Sequence, residues 1–297
     1  MIYRSPDALD DVFSDVLSLS RPQRVVLTTP THFDVEYVIN PHMAENVGTV
    51  NRAVAAQQWK ALRAAYTALD VTPLIVEGEP GLPDMVFCAN QTLPFFNPKT
   101  DQRGVVLSRM HAEQRAGEVP HYATFFRDQD YTVETLPEDV EGSFEGMGDA
   151  LWHPGRFLLW GGHGFRTAPA VYEAISALLD VPVILLELED PDYYHLDTCL
   201  CPLDETTALA APAAFNETGW ALVQKGFDTV IEAPDAEARH QFACNAHCPD
   251  GTHVLIQEGC DGTVDRLRAN GFVPVELDTS EFLKAGGSVF CMKQMIW

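Results

Sequence analysis

The chain has 297 residues, of which 46% are hydrophobic, so it can bury the core of one large domain or of two medium-sized ones. Its 43 acidic and 19 basic residues give a net charge of −24. A surface this acidic repels nucleic acid and anionic membranes, which argues against both as partners.

Predicted helices alternate with short β-rich runs along the chain. In chain order, the elements are a strand at 24–28, a helix at 49–69, strands at 74–76, 85–89 and 105–107, a helix at 112–129, strands at 131–136 and 156–160, a helix at 169–179, strands at 183–187 and 208–210, a helix at 215–224, strands at 229–231 and 253–256, a helix at 262–269 and a strand at 273–276. The helices recur roughly every 45 to 60 residues, a spacing typical of radial or solenoid arrays. No Pro/Gly/Ser-rich linker separates the repeats, so we predict one closed α/β domain over residues 1–297. An ordinary α/β sandwich is the alternative.

The N-terminal segment and the cysteine content bear on the cellular compartment. Acidic residues between positions 7 and 15 interrupt any apolar core of a secretion signal, and no segment approaches the roughly 20 apolar residues that span a bilayer. Seven cysteines, an odd number, favour reduced thiols over a disulfide framework. We therefore expect a cytoplasmic protein.

Cys291 is the strongest candidate for a nucleophile. It follows the pair Gly286-Gly287, and His195 and Asp197 offer a base and an orienting carboxylate. A partner is needed because the thiolate is the reactive form and an unperturbed cysteine is mostly protonated at neutral pH. The alternative is a structural role, since free cysteines are usually buried small hydrophobes.

Two segments place polar groups at predicted strand ends, where sites are commonly built. Residues 83–90 run from an apolar strand into Asn90, and residues 145–149 place Glu145 and Asp149 around glycines. Solvated turns are the alternative for both. Cysteine and histidine residues in 199–201 and 244–248 could hold a structural zinc, but their spacing is not a repeated Cys-x2-Cys, so we expect no metal.

Eight short segments occur in the order of a known enzyme family. They are 33–41, 83–90, 107–109, 144–151, 164–166, 194–199, 242–246 and 281–287. Together they resemble the guanidine-modifying superfamily, which includes dimethylarginine dimethylaminohydrolase, arginine deiminase and glycine amidinotransferase, and they are most similar to its arginine dihydrolase branch. The resemblance implies the pentein fold, an α/β propeller of five ββαβ blades with pseudo-fivefold symmetry.

The resemblance also implies roles for individual residues. Cys291 would be the nucleophile, His195 the general acid and base, and Glu145 the carboxylate that serves the site. The implied substrate-binding residues are Asp197 and Asn90 at the guanidine, and Asn40, Arg109 and Arg166 at the amino-acid end. These residue types suit the ligand, because carboxylates bind the planar cationic guanidinium and arginine forks bind a carboxylate.

The implied activity is hydrolysis of the guanidino group of arginine or a close derivative, through a covalent thiouronium on Cys291 and without a cofactor. An arginine dihydrolase would yield ornithine, ammonia and carbon dioxide. The alternatives are a dimethylarginine dimethylaminohydrolase or arginine deiminase that yields citrulline, an amidinotransferase, and an inactive module that binds guanidino compounds. The expected partner is a small guanidino substrate, and a homo-oligomer is left open.

The charge also favours adaptation to a salt-rich cytoplasm, and only five of the 19 basic residues are Lys. At about 1 M salt the Debye length is roughly 3 Å, so repulsion between acidic side chains is screened.

We expect the melting temperature to rise between low and molar potassium chloride, because screening relieves this repulsion. Thermal unfolding followed by circular dichroism measures the effect. A matched series in a neutral osmolyte serves as the control, since it leaves charge repulsion in place. A melting temperature that stays flat or falls with salt contradicts the halophile hypothesis.

Overall fold

A computed structural model describes residues 1–10 and 12–297. Its strands are β1 (Ile2–Tyr3), β2 (Arg24–Thr28), β3 (Thr72–Val76), β4 (Thr92–Asn97), β5 (Gln102–Leu107), β6 (Thr132–Glu134), β7 (Ala150–Trp152), β8 (Leu159–His163), β9 (Val183–Glu187), β10 (Leu200–Pro202), β11 (Thr207–Ala210), β12 (Thr229–Glu232), β13 (His253–Gln257), β14 (Val273–Leu277) and β15 (Gln294–Ile296). Its α-helices are α1 (Val12–Asp15), α2 (Arg52–Ala68), α3 (Glu113–Ala116), α4 (Val119–Asp128), α5 (Val171–Leu179), α6 (Glu217–Gly226), α7 (Asp235–Gln241), α8 (Asp261–Ala269) and α9 (Ser280–Leu283). The predicted mixed α/β class is confirmed.

The strands form five separate sheets, and no closed sheet is present in the described part of the chain. Their strand orders are β15-β2-β3, β4-β5-β6, β1-β9-β8-β7, β10-β11-β12 and β13-β14. Four of the five sheets contribute to the largest buried apolar cluster, which includes Phe95, Trp160, Leu209 and Ile256. No described helix is both long enough and apolar enough to cross a bilayer.

One unit recurs in all five sheets. Each contains a parallel pair whose strands are joined through a helix, namely β2 and β3 through α2, β5 and β6 through α4, β8 and β9 through α5, β11 and β12 through α6, and β13 and β14 through α8. Parallel neighbours need such a crossover. In four sheets a further strand pairs antiparallel with the first strand of the pair, and in the fifth an isolated bridge from His247 to Leu255 takes its place.

Helix α2 illustrates how the sequence determines these elements. The side chain of Asn51 accepts from the backbone N–H groups of Ala53 and Val54 and so caps its first turn. Its buried side chains lie on one face, as an amphipathic helix requires, and they are Ala55, Gln58, Trp59, Leu62 and Tyr66. A helix is therefore confirmed within the predicted range 49–69, but of the apolar residues whose spacing predicted it only Leu62 is fully buried.

Three sequence-based element predictions were wrong in part. The predicted strand at 85–89 is a 3-10 helix over Pro83–Val86 followed by irregular chain. Its residues are buried on every side, so their apolar character carried no information about a strand. The predicted helix at 112–129 is divided into α3 and α4. In a continuous helix the ring of Pro120 would clash with the carbonyl of Ala116, four residues earlier.

The third difference is a shift of the strand predicted at 156–160 to Leu159–His163. Gly161 and Gly162, which lie beyond the predicted range, are inside β8. A Cβ on Gly161 would lie 2.6 Å from the ring of Tyr172, so the glycines make room for neighbouring side chains.

The polar residues of interest come from equivalent places in the five units. Three 3-10 turns lie close before the antiparallel strands β4, β7 and β10, at Pro83–Val86, Gly146–Gly148 and Leu196–Thr198. Cys291 lies three residues before β15, and Asn245 two residues before the bridge at His247. Each unit thus supplies one segment to a common region.

Candidate active site

Three of these segments, those before β4, β10 and β15, line a small buried cavity together with residues that follow β2, β5 and β8. It is lined by Ile39, Asn40, Met43, Asp84, Phe87, Asn90, Arg115, Arg166, Tyr194, His195, Ala285, Gly286 and Cys291. The structure therefore brings five of the eight predicted site residues to one cavity. Two more, Asp197 and Glu145, lie directly behind it and contact residues of its lining.

Cys291 is 3% exposed and is held by two polar side chains. Its Sγ donates to Asp197 Oδ2 over 3.3 Å, and Asn245 Nδ2 donates to Sγ over 3.1 Å. Asn245 Oδ1 accepts from the backbone N–H groups of Ser288, at 3.0 Å, and Cys291, at 3.2 Å. One amide therefore fixes both the thiol and the turn that carries it.

The glycine pair before Cys291 is explained by close packing. Gly286 has a φ of +83°, and a Cβ there would lie 2.8 Å from Asn40 Oδ1. A Cβ on Gly287 would lie 2.5 Å from the ring of Phe87. Only glycine lets the chain pass between these side chains to reach Cys291.

Burial controls the protonation of the thiol and its partner. Burial, together with the neighbouring carboxylate of Asp197, raises the pKa of Cys291 well above its ordinary value. Burial also raises the pKa of Asp197 to about 7. In the unliganded site the cysteine is accordingly a thiol, and a cation bound beside Asp197 would favour the thiolate.

Glu145 organises the opposite side of the cavity. Its Oε2 accepts from His195 Nε2 over 2.7 Å and from Arg166 Nη1 over 3.1 Å. Its Oε1 accepts from the backbone N–H of His111 over 3.0 Å. Although burial acts to raise it, these interactions with His195 and then Arg166 hold the pKa of Glu145 far below its ordinary value. Glu145 is therefore a carboxylate that fixes the imidazole.

Asn40 and Arg166 close the cavity from outside. Asn40 donates to the carbonyl of Ala285 over 3.0 Å, and Arg166 Nη2 donates to the carbonyl of Ile39 over 2.7 Å. The inner cavity has a volume of only about 20 Å³, whereas an outer cavity of about 370 Å³ shares Ile39 and Arg166 with it. The contact between Ile39 and Arg166 therefore lies where the two cavities adjoin.

Arg109 does not line this cavity. Its guanidinium donates to the carbonyls of Pro137, Val140 and Gly142 in a neighbouring loop. The structure thus does not place it beside the other residues predicted for the amino-acid end of the substrate, and that role stays a prediction. An arginine that satisfies loop carbonyls looks the same in sequence as one that binds a ligand.

Several residues at the site were not singled out from the sequence. Asp84 is 1% exposed and lines the cavity, and its carboxyl group interacts with the hydroxyl of Tyr37 and the guanidinium of Arg115. Burial raises the pKa of Asp84. Arg115, Asn245 and Tyr194 were missed as well. The only sequence signal for Asp84 was an acid inside an apolar run, which is costly unless a ligand or partner uses it.

The zinc alternative has no counterpart in the structure. Within the described residues, no group of three or more His, Cys, Asp or Glu side chains could hold a metal ion. The Cys201 thiol donates to the carbonyl of Ala246 over 3.1 Å, and burial raises its pKa.

Comparison with known proteins gives the family. No protein-family model matches the chain. It is 39% identical over 270 residues to an uncharacterised protein of Caenorhabditis elegans, covering 91% of the chain and 92% of that protein. It is 37% identical to N(G),N(G)-dimethylarginine dimethylaminohydrolase of Mycobacterium tuberculosis, covering 91% and 85%.

The chain belongs to the guanidine-modifying (pentein) superfamily.

Other members of the superfamily are larger. The chain is 35% identical to the bifunctional arginine dihydrolase/ornithine cyclodeaminase ArgZ of Synechocystis, covering 91% of the chain but only 37% of that protein. Among solved structures, the substrate-bound N-terminal domain of ArgZ superposes with a TM-score of 0.85 at 34% identity, covering 92% of the chain and 97% of the domain. The similarity to ArgZ therefore lies in its N-terminal domain.

The hydrogen bonds of Asn245 to Cys291 and to the turn that carries it can be tested by mutation. We expect Asn245→Ala to lower the free energy of unfolding by about 1 to 3 kcal/mol for each of the two buried N–H groups that lose their acceptor. The matched variant Asn245→Asp keeps that acceptor oxygen but places a negative charge beside Sγ. It should retain more stability and raise the pKa of the thiol further.

Urea denaturation and the pH dependence of iodoacetamide alkylation measure these two effects. Identical alkylation profiles for wild type and Asn245→Asp would show that the amide does not contact the thiol.

Proposed function

We propose that the protein, a hydrolase of guanidino carbon–nitrogen bonds, is an arginine dihydrolase that converts arginine to ornithine, ammonia and carbon dioxide. The observation that carries the proposal is a pair of buried carboxyl groups beside a cysteine. Asp84 and Asp197 are 1% and 0% exposed, and Asp197 Oδ1 has no hydrogen-bond partner in the described part of the chain. A guanidinium supplies a permanent positive charge and five N–H donors in one plane, which complement two such carboxylates.

The first hydrolysis follows from the contacts of Cys291. As Sγ attacks the guanidinium carbon, its proton passes to Asp197 Oδ2, which already accepts the hydrogen bond of the thiol. His195, oriented by Glu145, protonates the amino group that departs as ammonia and then takes a proton from the water molecule that attacks the covalent thiouronium. Citrulline is released as Sγ leaves and recovers its proton from Asp197. In the second hydrolysis Sγ attacks the ureido carbon and ammonia departs. Water then frees the carbamate of ornithine, which loses carbon dioxide.

The comparisons support this substrate. ArgZ and AgrE, to which the chain is 35% identical, are arginine dihydrolases, and the N-terminal domain of ArgZ is known in a form covalently bound to a reaction intermediate. Because the chain spans 37% of each of these proteins, their cyclodeaminase activity is not proposed for it.

We also propose that the five ββαβ units form five blades around a pseudo-fivefold axis in a single domain. Support comes from the parallel strand pair with a crossover helix that recurs in all five sheets. A cytoplasmic location is proposed from the seven unpaired thiols. Salt adaptation is proposed from the composition.

The direct test is incubation of the purified protein in high salt with arginine, citrulline or dimethylarginine, with ornithine, citrulline and ammonia quantified. Ornithine from both arginine and citrulline supports the dihydrolase. Citrulline as the sole product of arginine indicates a deiminase, and turnover of dimethylarginine alone indicates a dimethylarginine dimethylaminohydrolase.

We expect Cys291→Ser to abolish turnover and to leave the fold intact, because serine is a far poorer nucleophile at neutral pH. Cys248→Ser, at a cysteine outside the cavity, is the matched control and should keep wild-type activity. Circular dichroism checks the fold of both variants. If Cys291→Ser retains even a tenth of the wild-type rate, Cys291 is not the nucleophile.

Asn90 should favour the second hydrolysis. Its side chain offers an N–H donor that suits the oxygen of a ureido group, whereas an aspartate there would offer only acceptors. We expect Asn90→Asp to lower the ornithine-to-citrulline ratio about tenfold, which corresponds to the loss of about one hydrogen bond of 1.4 kcal/mol. An unchanged product ratio would show that Asn90 does not influence which product forms.

A further inference from the structure

The side chain of Asn90 has only one of its two polar atoms paired. Asn90 Oδ1 accepts from Arg115 Nη1 over 2.8 Å, whereas Nδ2 is buried without a hydrogen-bond acceptor among the described residues. An arginine side chain can only donate, so the oxygen of the amide must be the atom that faces Arg115. Arg115 therefore determines which way the side-chain amide of Asn90 is oriented.

Arg115 itself cannot move to accommodate a different arrangement. It is 4% exposed, and its Nε and Nη2 donate to both oxygens of Glu118 over 2.9 to 3.2 Å. Nη2 also donates to the carbonyls of Asp84 and Phe87, each over 3.1 Å. Glu118 is held in turn by Gln91 Nε2 over 2.6 Å. The guanidinium is therefore fixed on three sides.

Rotation of the Asn90 amide by half a turn would be unfavourable in this setting. It would place the NH₂ group against Arg115 Nη1, donor facing donor, and would leave a buried N–H of the guanidinium without an acceptor. Asn90 lines the cavity, so the polar atom that it can offer a ligand is Nδ2.

The two hydrolyses make opposite demands on such a donor. Arginine presents a guanidinium, whose polar atoms all donate, and these can pair with Asp84 and Asp197 but not with Asn90 Nδ2. The ureido group of citrulline carries a carbonyl oxygen, which can accept from Nδ2. A fixed donor at this position therefore discriminates between the two substrates.

We infer that Arg115 is a positioning residue that directs the enzyme toward the ureido substrate by holding the amide of Asn90 with its donor toward the cavity. The inference rests on the proposed dihydrolase function. It assigns to Arg115 an effect on the choice between citrulline and arginine rather than on the chemical steps themselves.

A double-mutant cycle tests the inference. The variants are Arg115→Lys, Asn90→Asp and the double variant, with Arg63→Lys, at an exposed arginine of α2, as the matched control. The measurement is kcat/KM for citrulline divided by kcat/KM for arginine. We expect Arg115→Lys to lower this ratio about fivefold, the effect of one hydrogen bond.

In the Asn90→Asp background the same substitution should leave the ratio unchanged, because an aspartate has no amide to orient. An unchanged ratio in folded Arg115→Lys overturns the inference, and so does an equal fall in both backgrounds. If Arg115→Lys does not fold, Glu118→Gln takes its place in the cycle. It loosens the anchor of Arg115 without a change of volume, and the same two outcomes apply.

Ligand binding separates this inference from the proposed function. Dissociation constants of citrulline and arginine are measured by calorimetry on Cys291→Ser, with and without Arg115→Lys. A selective loss of citrulline affinity in the Arg115→Lys variant supports the positioning role. If wild type forms no ornithine, only the dihydrolase function is refuted, and this binding result still supports the positioning role. Parallel losses of both affinities refute the positioning role while leaving the dihydrolase function intact.

Discussion

The free-energy cost of unpaired charge in a buried site governs the centre of this protein. The carboxylate of Glu145 accepts hydrogen bonds from His195, Arg166 and a backbone N–H, which offset this cost. The carboxylate of Glu118 accepts from Arg115 and Gln91 in the same way. Burial raises the pKa values of both Asp84 and Asp197, because the charged carboxylate is disfavoured there. A planar cation bound between them would lower both pKa values and would stabilise the folded protein.

Division of the site among repeated units determines how it is held together. The segments that line the cavity bond to one another across units, as Ala89 N–H does to the carbonyl of Cys291 and Met147 N–H does to the carbonyl of Ala89. Asn40 and Arg166 add bonds to Ala285 and Ile39. No single unit contains a working constellation. Small shifts of one unit relative to another would therefore alter catalytic distances before they altered any secondary structure.

The sequence predicted the five crossover helices, although it merged α3 with α4, and it missed the short helix α7. It failed at 85–89, where burial on all sides erases periodicity. Cys291 was expected to have His195 as its partner, but the thiol contacts Asp197 and Asn245, and His195 contacts Glu145. Arg115 and Glu118 look like an ordinary surface pair three residues apart, and only the fold reveals that both are buried. Contacts between distant segments leave no local pattern.

Strand β15 pairs antiparallel with β2, and Cys291 lies three residues before it. The hydrogen bond from Cys291 to Asp197 joins residues 94 positions apart, and the sheet that carries the cysteine joins the first unit to the end of the fifth. Any change in the register of β15 against β2 would therefore carry Cys291 with it and alter its distance to Asp197.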